Sequence, residues 1–293
     1  MTLVRVAFTL LAALVLQGPS FRSETRLVVL HATVKNSRGE LVTNLDRPAF
    51  TVYENGKRQP VTIFRRDDIP VSLGLLIDNS GSMRQLRSKV EAAALAFARA
   101  SNPQDELFVL NFADKARIDV PLTSDVRVLE AGIARLDAIG GTAMRDGIDM
   151  AEAYLREHAT RDRKVLLVIT DGNDNASMAT FDRIEKEAED TETVIDAIGL
   201  FLDGETSKAK TGRHELNRLV EKTGGVAYYP QGIEQINEVA LDLARQIRNQ
   251  YTIAYAPLNQ ALDGSYRTIR VTAAGSEKFS VHTRPGYRAT RHD

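Results

Sequence analysis

Val71-Ser72-Leu73-Gly74-Leu75-Leu76-Ile77-Asp78-Asn79-Ser80-Gly81-Ser82-Met83 decides how this chain folds. The apolar run Val71 to Ile77 reads as a buried strand, and it ends in Asp-x-Ser-x-Ser. That ending delivers one carboxylate and two hydroxyls to a single loop. The result is a hard, oxygen-only donor set, suited to Mg2+ or Mn2+ and poorly suited to zinc or copper. Neutral hydroxyls hold a cation without quenching its charge, so the cation still attracts an anionic group from outside.

Around this stretch, from about 70 to 249, apolar runs alternate with helical patterns, which predicts an α/β fold with a doubly wound, mainly parallel, Rossmann-like sheet. Strands are expected at Val71–Ile77, Glu106–Phe112, Val165–Thr170, Val194–Ile198 and Gly225–Tyr228. Helices are expected at Arg84–Ala100, Arg127–Ala138, Arg145–Arg156, Phe181–Asp190, His214–Lys222 and Ile233–Arg248. The last places Ile233, Ile236, Val239, Ala240, Leu243 and Ile247 near one stripe, as an amphipathic helix requires. Thr223-Gly224-Gly225 reads as a helix stop.

Both flanks read as short antiparallel strands. From 25 to 66, β-branched runs are punctuated by Arg38-Gly39 and Asn55-Gly56. From 250 to 290, Tyr251–Ala256, Arg267–Thr272 and Phe279–Thr283 are separated by turns at Asp263-Gly264 and Ala274-Gly275. Arg65 to Pro70 reads as a linker. Neither flank is comfortable alone, so the two are expected to pair into one small β domain with the α/β domain inserted between them.

At 293 residues, with 43% apolar and 26% charged, the composition is that of a globular protein. Lys plus Arg (38) nearly cancels Asp plus Glu (39), and no basic run stands out, which argues against a nucleic-acid partner. Cysteine is absent, which excludes disulfides, thiolate metal sites and a cysteine nucleophile. Near the N-terminus, Arg5 accompanies the apolar run Val4 to Leu16, followed by Gln17-Gly18-Pro19-Ser20. This is a secretory signal pattern over 1–20, and as a helix it is shorter than a hydrocarbon core of about 30 Å. Export to the periplasm, cell envelope or medium is expected, with no stable membrane span once the signal is cleaved.

In an open parallel sheet, ligands bind beyond the carboxyl ends of the strands. Three loops fall there: Asp78-x-Ser80-x-Ser82, Gly140-Gly141-Thr142-Ala143-Met144, and Thr170-Asp171-Gly172-Asn173-Asp174. Together they resemble the metal-ion-dependent adhesion site of von Willebrand factor type A domains. The resemblance covers about Val71 to Asn249. It implies that Ser80, Ser82 and Thr142 are hydroxyl ligands of a divalent cation, Mg2+ or alternatively Mn2+ or Ca2+, with Asp78 and Asp171 as the carboxylates. It also implies a protein partner that supplies a further carboxylate. The flanking segments, among them Phe50-Thr51-Val52-Tyr53-Glu54-Asn55-Gly56-Lys57 and Arg284-Pro285-Gly286-Tyr287, look like those of a bacterial, notably acidobacterial, group of exported von Willebrand A-related proteins.

Blander roles compete residue by residue. Asp78, Ser80 or Ser82 taken singly could be helix N-caps. Asp174 reads as a solvated loop residue in preference to an acceptor that supports a ligand or an extra ligand itself. Met83, Met144 and Met178 are expected to pack rather than to collar a ligand. The five histidines lack ligand spacing, and Arg183–Asp190 reads as a solvated helix face. A metal-dependent hydrolase or phosphatase is the alternative use of the same site. Against it, Ser80 stands where a haloacid-dehalogenase-like pattern would need a second aspartate, and no nucleophile elbow surrounds either serine. A non-enzymatic, exported, cation-dependent adhesion or assembly module is therefore the expectation.

Overall fold

The computed structural model describes residues 27–133, 140–172, 174–201 and 206–290. The signal pattern over 1–20 and the end of the helix expected at Arg127–Ala138 lie outside them. The chain begins with β1 (Val28–Lys35), β2 (Phe50–Glu54), β3 (Lys57–Gln59) and β4 (Val61–Arg65). The α/β unit follows as β5 (Val71–Asp78), α1 (Arg87–Ala100), β6 (Glu106–Phe112), β7 (Ala116–Thr123), α2 (Val126–Ile133), α3 (Met144–His158) and β8 (Arg163–Thr170). It continues through α4 (Phe181–Asp190), β9 (Val194–Gly199), α5 (Ser207–Thr223), β10 (Ala227–Tyr228) and α6 (Ile236–Arg248). The chain then adds β11 (Tyr251–Tyr255), β12 (Tyr266–Ala273), β13 (Ser280–His282) and β14 (Gly286–Arg288). Among the described residues no helix is long and apolar enough to cross a membrane.

The central sheet runs β10-β9-β8-β5-β6-β7, parallel except for β7, which pairs antiparallel with β6. Every residue of β5 is buried, because both faces of the sheet are covered. Leu73, Leu75 and Ile77 pack with α1, α2 and α6, while Leu76 packs with α3, α4 and α5. Gly74 sits on the second face for want of room: a Cβ there would lie 2.4 Å from Phe108 Cζ and 2.7 Å from Leu166 Cδ2. Gly74→Ala is expected to cost about 1–3 kcal/mol by overpacking. It should read as a lower urea midpoint at unchanged slope; wild-type stability would show that Phe108 has slack.

Since β5 lies between β6 and β8, the connections diverge on either side of it, and a crevice opens beyond the carboxyl ends of β5 and β8. This is where the Asp78 and Asp171 loops emerge.

Several boundaries differ from the sequence reading. A 3-10 turn, Gly81–Gln85, precedes α1, and another, Ile233–Gln235, precedes α6. Strand β7 was not anticipated, since it is a half-exposed edge with Pro121 within it and register shifts against β6. Helix α5 starts two turns before His214, where Thr206 caps it by accepting from Ala209 N at 3.1 Å. β10 is shorter than Gly225–Tyr228, because Gly224 ends α5 at φ +80 and the chain straightens only afterwards.

The flanks form two four-stranded sheets, β13-β1-β11-β4 and β14-β12-β2-β3, which share one apolar core that includes Leu30, Val52, Tyr251, Ile253 and Tyr287. N-terminal strands pair with C-terminal ones in both, β1 and β4 with β11 and β2 with β12. The expected linker is partly structured: Arg65 ends β4, and Asp68 accepts from Arg248 Nε at 2.7 Å.

Buried polar groups join these sheets to the α/β unit. Arg163, at the start of β8, donates to the Ile247 carbonyl at 2.7 Å and to Gln250, whose amide donates to Thr33 Oγ1 at 3.0 Å. Asp196 of β9 is fully buried, and its Oδ1 accepts from Val226 N at 2.7 Å. Burial pushes its carboxyl up to about 6, against the opposing pull of the Arg163 charge. The folded protein therefore binds this proton more tightly than the unfolded chain, and the Asp196 contribution to stability falls as pH rises from about 4 to about 6. Asp196→Asn removes that contribution. Across this window the variant is expected to gain on wild type by at most about 1.4 kcal/mol per pH unit, levelling off above it. Urea titrations over the range check this, and a flat difference would contradict it.

Candidate metal centre

Asp78 ends β5 with its carboxylate under the first loop, only 2% exposed. Its Oδ1 accepts from Ser80 N at 2.9 Å and its Oδ2 accepts from Thr170 Oγ1 at 2.5 Å, so the buried carboxylate ties β5 to the end of β8. Ser80 stands in the N-cap position of the 3-10 turn, yet its side chain makes no capping bond. Its Oγ lies 3.0 Å from Ser82 Oγ, and Ser82 Oγ donates to Asp171 Oδ1 at 2.9 Å. The simple capping role therefore does not account for Ser80, and its hydroxyl faces the other oxygens.

Thr142 arrives from the second loop, 3% exposed, with its hydroxyl against Gly172: a Cβ on Gly172 would stand 3.6 Å from Thr142 Oγ1. Gly81 N donates to the Gly140 carbonyl at 3.1 Å, which docks the second loop on the first. Gly140 itself adopts φ +91, a left-handed conformation that favours glycine, and a Cβ there would meet Asp114 Oδ2 at 2.5 Å. Ser80, Ser82, Thr142 and Asp171 line one cleft of about 520 Å3, with Asp78 beneath it. Leu200, Phe201 and Ile233 add apolar surface to the lining of this cleft, and Lys208 adds a positive charge.

Two residues that sequence reasoning passed over shape the threonine loop. Asp114 Oδ1 accepts from Gly141 N at 2.7 Å, and Asn175 Oδ1 accepts from Thr142 N at 3.0 Å. The position of Asp114 just past β6, at the same carboxyl end of the sheet, is the signal that could have found it.

Asp174 is not a solvated loop residue. It is 7% exposed, accepts from Arg145 N at 2.7 Å and from Ser177 N at 3.0 Å and Ser177 Oγ at 2.6 Å, and so caps the N-terminus of α3 from outside. A negative charge is favourable there, which explains why this carboxylate is turned inward. Met83 and Met144 are buried in the two cores, whereas Met178 is 94% exposed. The α4 face Arg183–Asp190 is partly engaged, with Glu185 on Arg218 and Glu189 on Lys222 and Arg288.

The donor chemistry fits a hard divalent cation. Among the described residues no group of three or more His, Cys, Asp or Glu side chains converges, so a cation here would rest on hydroxyls backed by two carboxylates. Burial pushes the Asp78 carboxyl up to about 6 despite the Thr170 and Ser80 hydrogen bonds, and the neighbouring Asp171 charge adds to the rise. A cation among these oxygens would favour the ionised form instead.

Comparison with known proteins agrees with this fold. Residues 73–173 match the family model of the von Willebrand factor type A domain, a span that contains all five residues of the set. The fold is similar to that of a von Willebrand factor type A protein from Catenulispora acidiphila, at TM-score 0.54 and 14% identity, over 92% of this chain and 75% of that one. It is also similar to the vWF domain of the type V pili tip protein Mfa5 from Porphyromonas gingivalis, at TM-score 0.50 and 12% identity, over 61% of this chain and 95% of that one. The PilB minor pilin from Streptococcus sanguinis aligns at TM-score 0.50 and 13% identity, over 62% of each chain. At these identities the likeness is one of fold. The first covers the flanks as well as the α/β unit, while the other two leave more than a third of the chain unmatched. No curated protein matches the chain.

Proposed function

We propose that this chain, whose α/β unit is a von Willebrand factor type A fold, is an exported protein-binding module that grips an acidic side chain of a partner through a divalent cation. The observation that carries this reading is the Ser80 hydroxyl, which is released from any capping bond and faces Ser82 in a cleft shared with Thr142 and Asp171. Ser80, Ser82 and Thr142 would hold the ion, with Asp78 and Asp171 as its carboxylates. Mg2+, or Mn2+ or Ca2+ in its place, supplies a charge-dense centre with a coordination position open to exchange for a partner's carboxylate.

The chain's own residues do the rest. Thr170 and Ser80 N fix the Asp78 carboxylate, Asp114 and Asn175 fix the threonine loop, and the hydroxyls add no negative charge that would repel an acidic partner. A binding role is favoured over hydrolysis because, among the described residues, the ionisable groups lining the cleft are Asp171 and Lys208, with no histidine or glutamate to move a proton. The apolar N-terminal run supports export, as does the likeness in fold to a pilus tip protein and a minor pilin.

The test is capture of envelope proteins on the immobilised chain with Mg2+ present. Retention should fall about tenfold or more with EDTA or Ser80→Ala. Capture that survives both would remove the cation from the account, and turnover of a phosphate ester that is lost in Asp78→Asn would replace binding by catalysis.

A further inference from the structure

In the cleft of the candidate metal centre, Lys208 is exposed and makes no hydrogen bond or ion pair among the described residues. Helix α5 sets its place. The helix packs on the aspartate loop at Gly212, where a Cβ would stand 3.2 Å from the Gly172 carbonyl oxygen. Lys208 and Ala209 lie four and three residues before Gly212, so they share its face of the helix. At about 1.5 Å per residue, Lys208 stands roughly 6 Å further toward the helix start. Lys208 and Ala209, both in the lining, therefore belong to the wall that begins at Gly172, the residue next to Asp171.

The fold itself disfavours a lysine here. Lys208 lies in the first turn of α5, two residues after the Thr206 cap, where the helix dipole opposes a positive charge. That turn carries no acidic residue to offset it. Asp171 accepts from Ser82 Oγ at 2.9 Å and forms no ion pair with Lys208. A cation in the same cleft would add to this positive potential, which an entering anionic group relieves. The carboxylate that takes the open position on the cation is engaged there, so Lys208 is left for a second one.

We infer that Lys208 selects partners that present two acidic side chains close together. One carboxylate reaches the cation, and the other, within about three residues or roughly 10 Å of extended chain, pairs with the Lys208 ammonium. The inference rests on the cation-mediated binding proposed above and deepens it: the partner's segment is a clustered acidic one, not an isolated aspartate or glutamate.

Fluorescence polarisation of labelled Gly-Ser peptides on the full chain in Mg2+ tests this. One peptide carries a single glutamate, and three others carry a second glutamate one, two or three positions away. Wild type is expected to bind the best two-glutamate peptide about fivefold tighter than the single-glutamate one, the upper range of an exposed ion pair. That advantage should fade toward about 1 M salt, where the Debye length is about 3 Å. Lys208→Gln should reduce it to about twofold, the statistical gain of a second carboxylate, while binding Mg2+ no more weakly than wild type. Lys208→Glu should abolish it, yet unfold at a higher temperature, since an acidic residue suits this helix turn; loss of binding in a more stable protein is not misfolding. Equal preference in wild type and Lys208→Gln, or a wild-type preference of no more than about twofold, would overturn the inference and leave the proposed function standing. Peptide binding that survives EDTA and Ser80→Ala, or no saturable binding of any peptide up to millimolar concentration, would overturn both.

Discussion

Arg267→Ala is expected to destabilise the protein by about 3–5 kcal/mol or more, the cost of breaking a buried ion pair. Arg267 is 2% exposed and Glu54 3%, with Arg267 Nη1 at 3.4 Å from Glu54 Oε1 in the core of the flanking sheets. Tyr255 and Tyr287 hydroxyls donate to Glu54 Oε2 at 2.8 and 2.9 Å, and the Arg267 guanidinium also donates to the Asn259 and Ala261 carbonyls. Burial and the Glu54 charge push the Tyr287 hydroxyl up to about 12, so it remains a donor throughout the neutral range. Removing the guanidinium strands the Glu54 charge, orphans two carbonyls and leaves a cavity. Against a total stability of about 5–15 kcal/mol, that is a large share, visible as a collapse of the urea midpoint. Pairing Arg267→Met with Glu54→Gln should recover part of the loss, since no buried charge then remains. A single variant as stable as wild type would show that the pair is dispensable.

The second large effect concerns the cation. A ligand that binds only the folded state stabilises it by about 2.7 kcal/mol at a hundred times its dissociation constant. Mg2+ is therefore expected to raise the unfolding temperature of the wild type, and to leave Ser80→Ala and Asp171→Ala where they stand in EDTA. Ser80→Ala is the cleaner variant, because Ser80 Oγ holds no helix cap and its loss leaves the backbone bond to Asp78 intact. Thr142→Ala should behave alike, since Asp114 and Asn175 hold that loop through backbone nitrogens and not through the threonine hydroxyl. Equal stabilisation of wild type and both serine and aspartate variants would place the ion elsewhere.

How much of this could be read beforehand depended on burial. Strands β5, β6, β8 and β9 are covered on both faces, so each is a mostly apolar run that the sequence displays openly, even with Asp196 inside β9 and Asn111 inside β6. Strand β7 is an edge with Arg117, Asp119 and Pro121 among its residues, and its alternation is blurred by two register shifts. The first turns of α5, Ser207 to Arg213, bury Gly212 and little else, so they carry no hydrophobic stripe. The five residues proposed for the candidate metal centre could be placed at one end of the sheet because each lies at or beside the end of a strand or helix that was itself legible. Asp174 was misjudged, since its role comes from a helix terminus 29 positions away in sequence. The Glu54–Arg267 pair is 213 positions apart and exists only once the two flanks have closed on each other. No local pattern announces a partnership of that kind.

Titration of the metal-stripped chain with Mg2+ or Mn2+, followed by calorimetry, tests the central claim most directly. The account predicts one bound ion per chain in the wild type, with affinity lowered about a hundredfold or beyond detection in Ser80→Ala, while both proteins unfold alike in EDTA. Absence of saturable binding to the folded wild type, or unchanged affinity in Ser80→Ala, would contradict it.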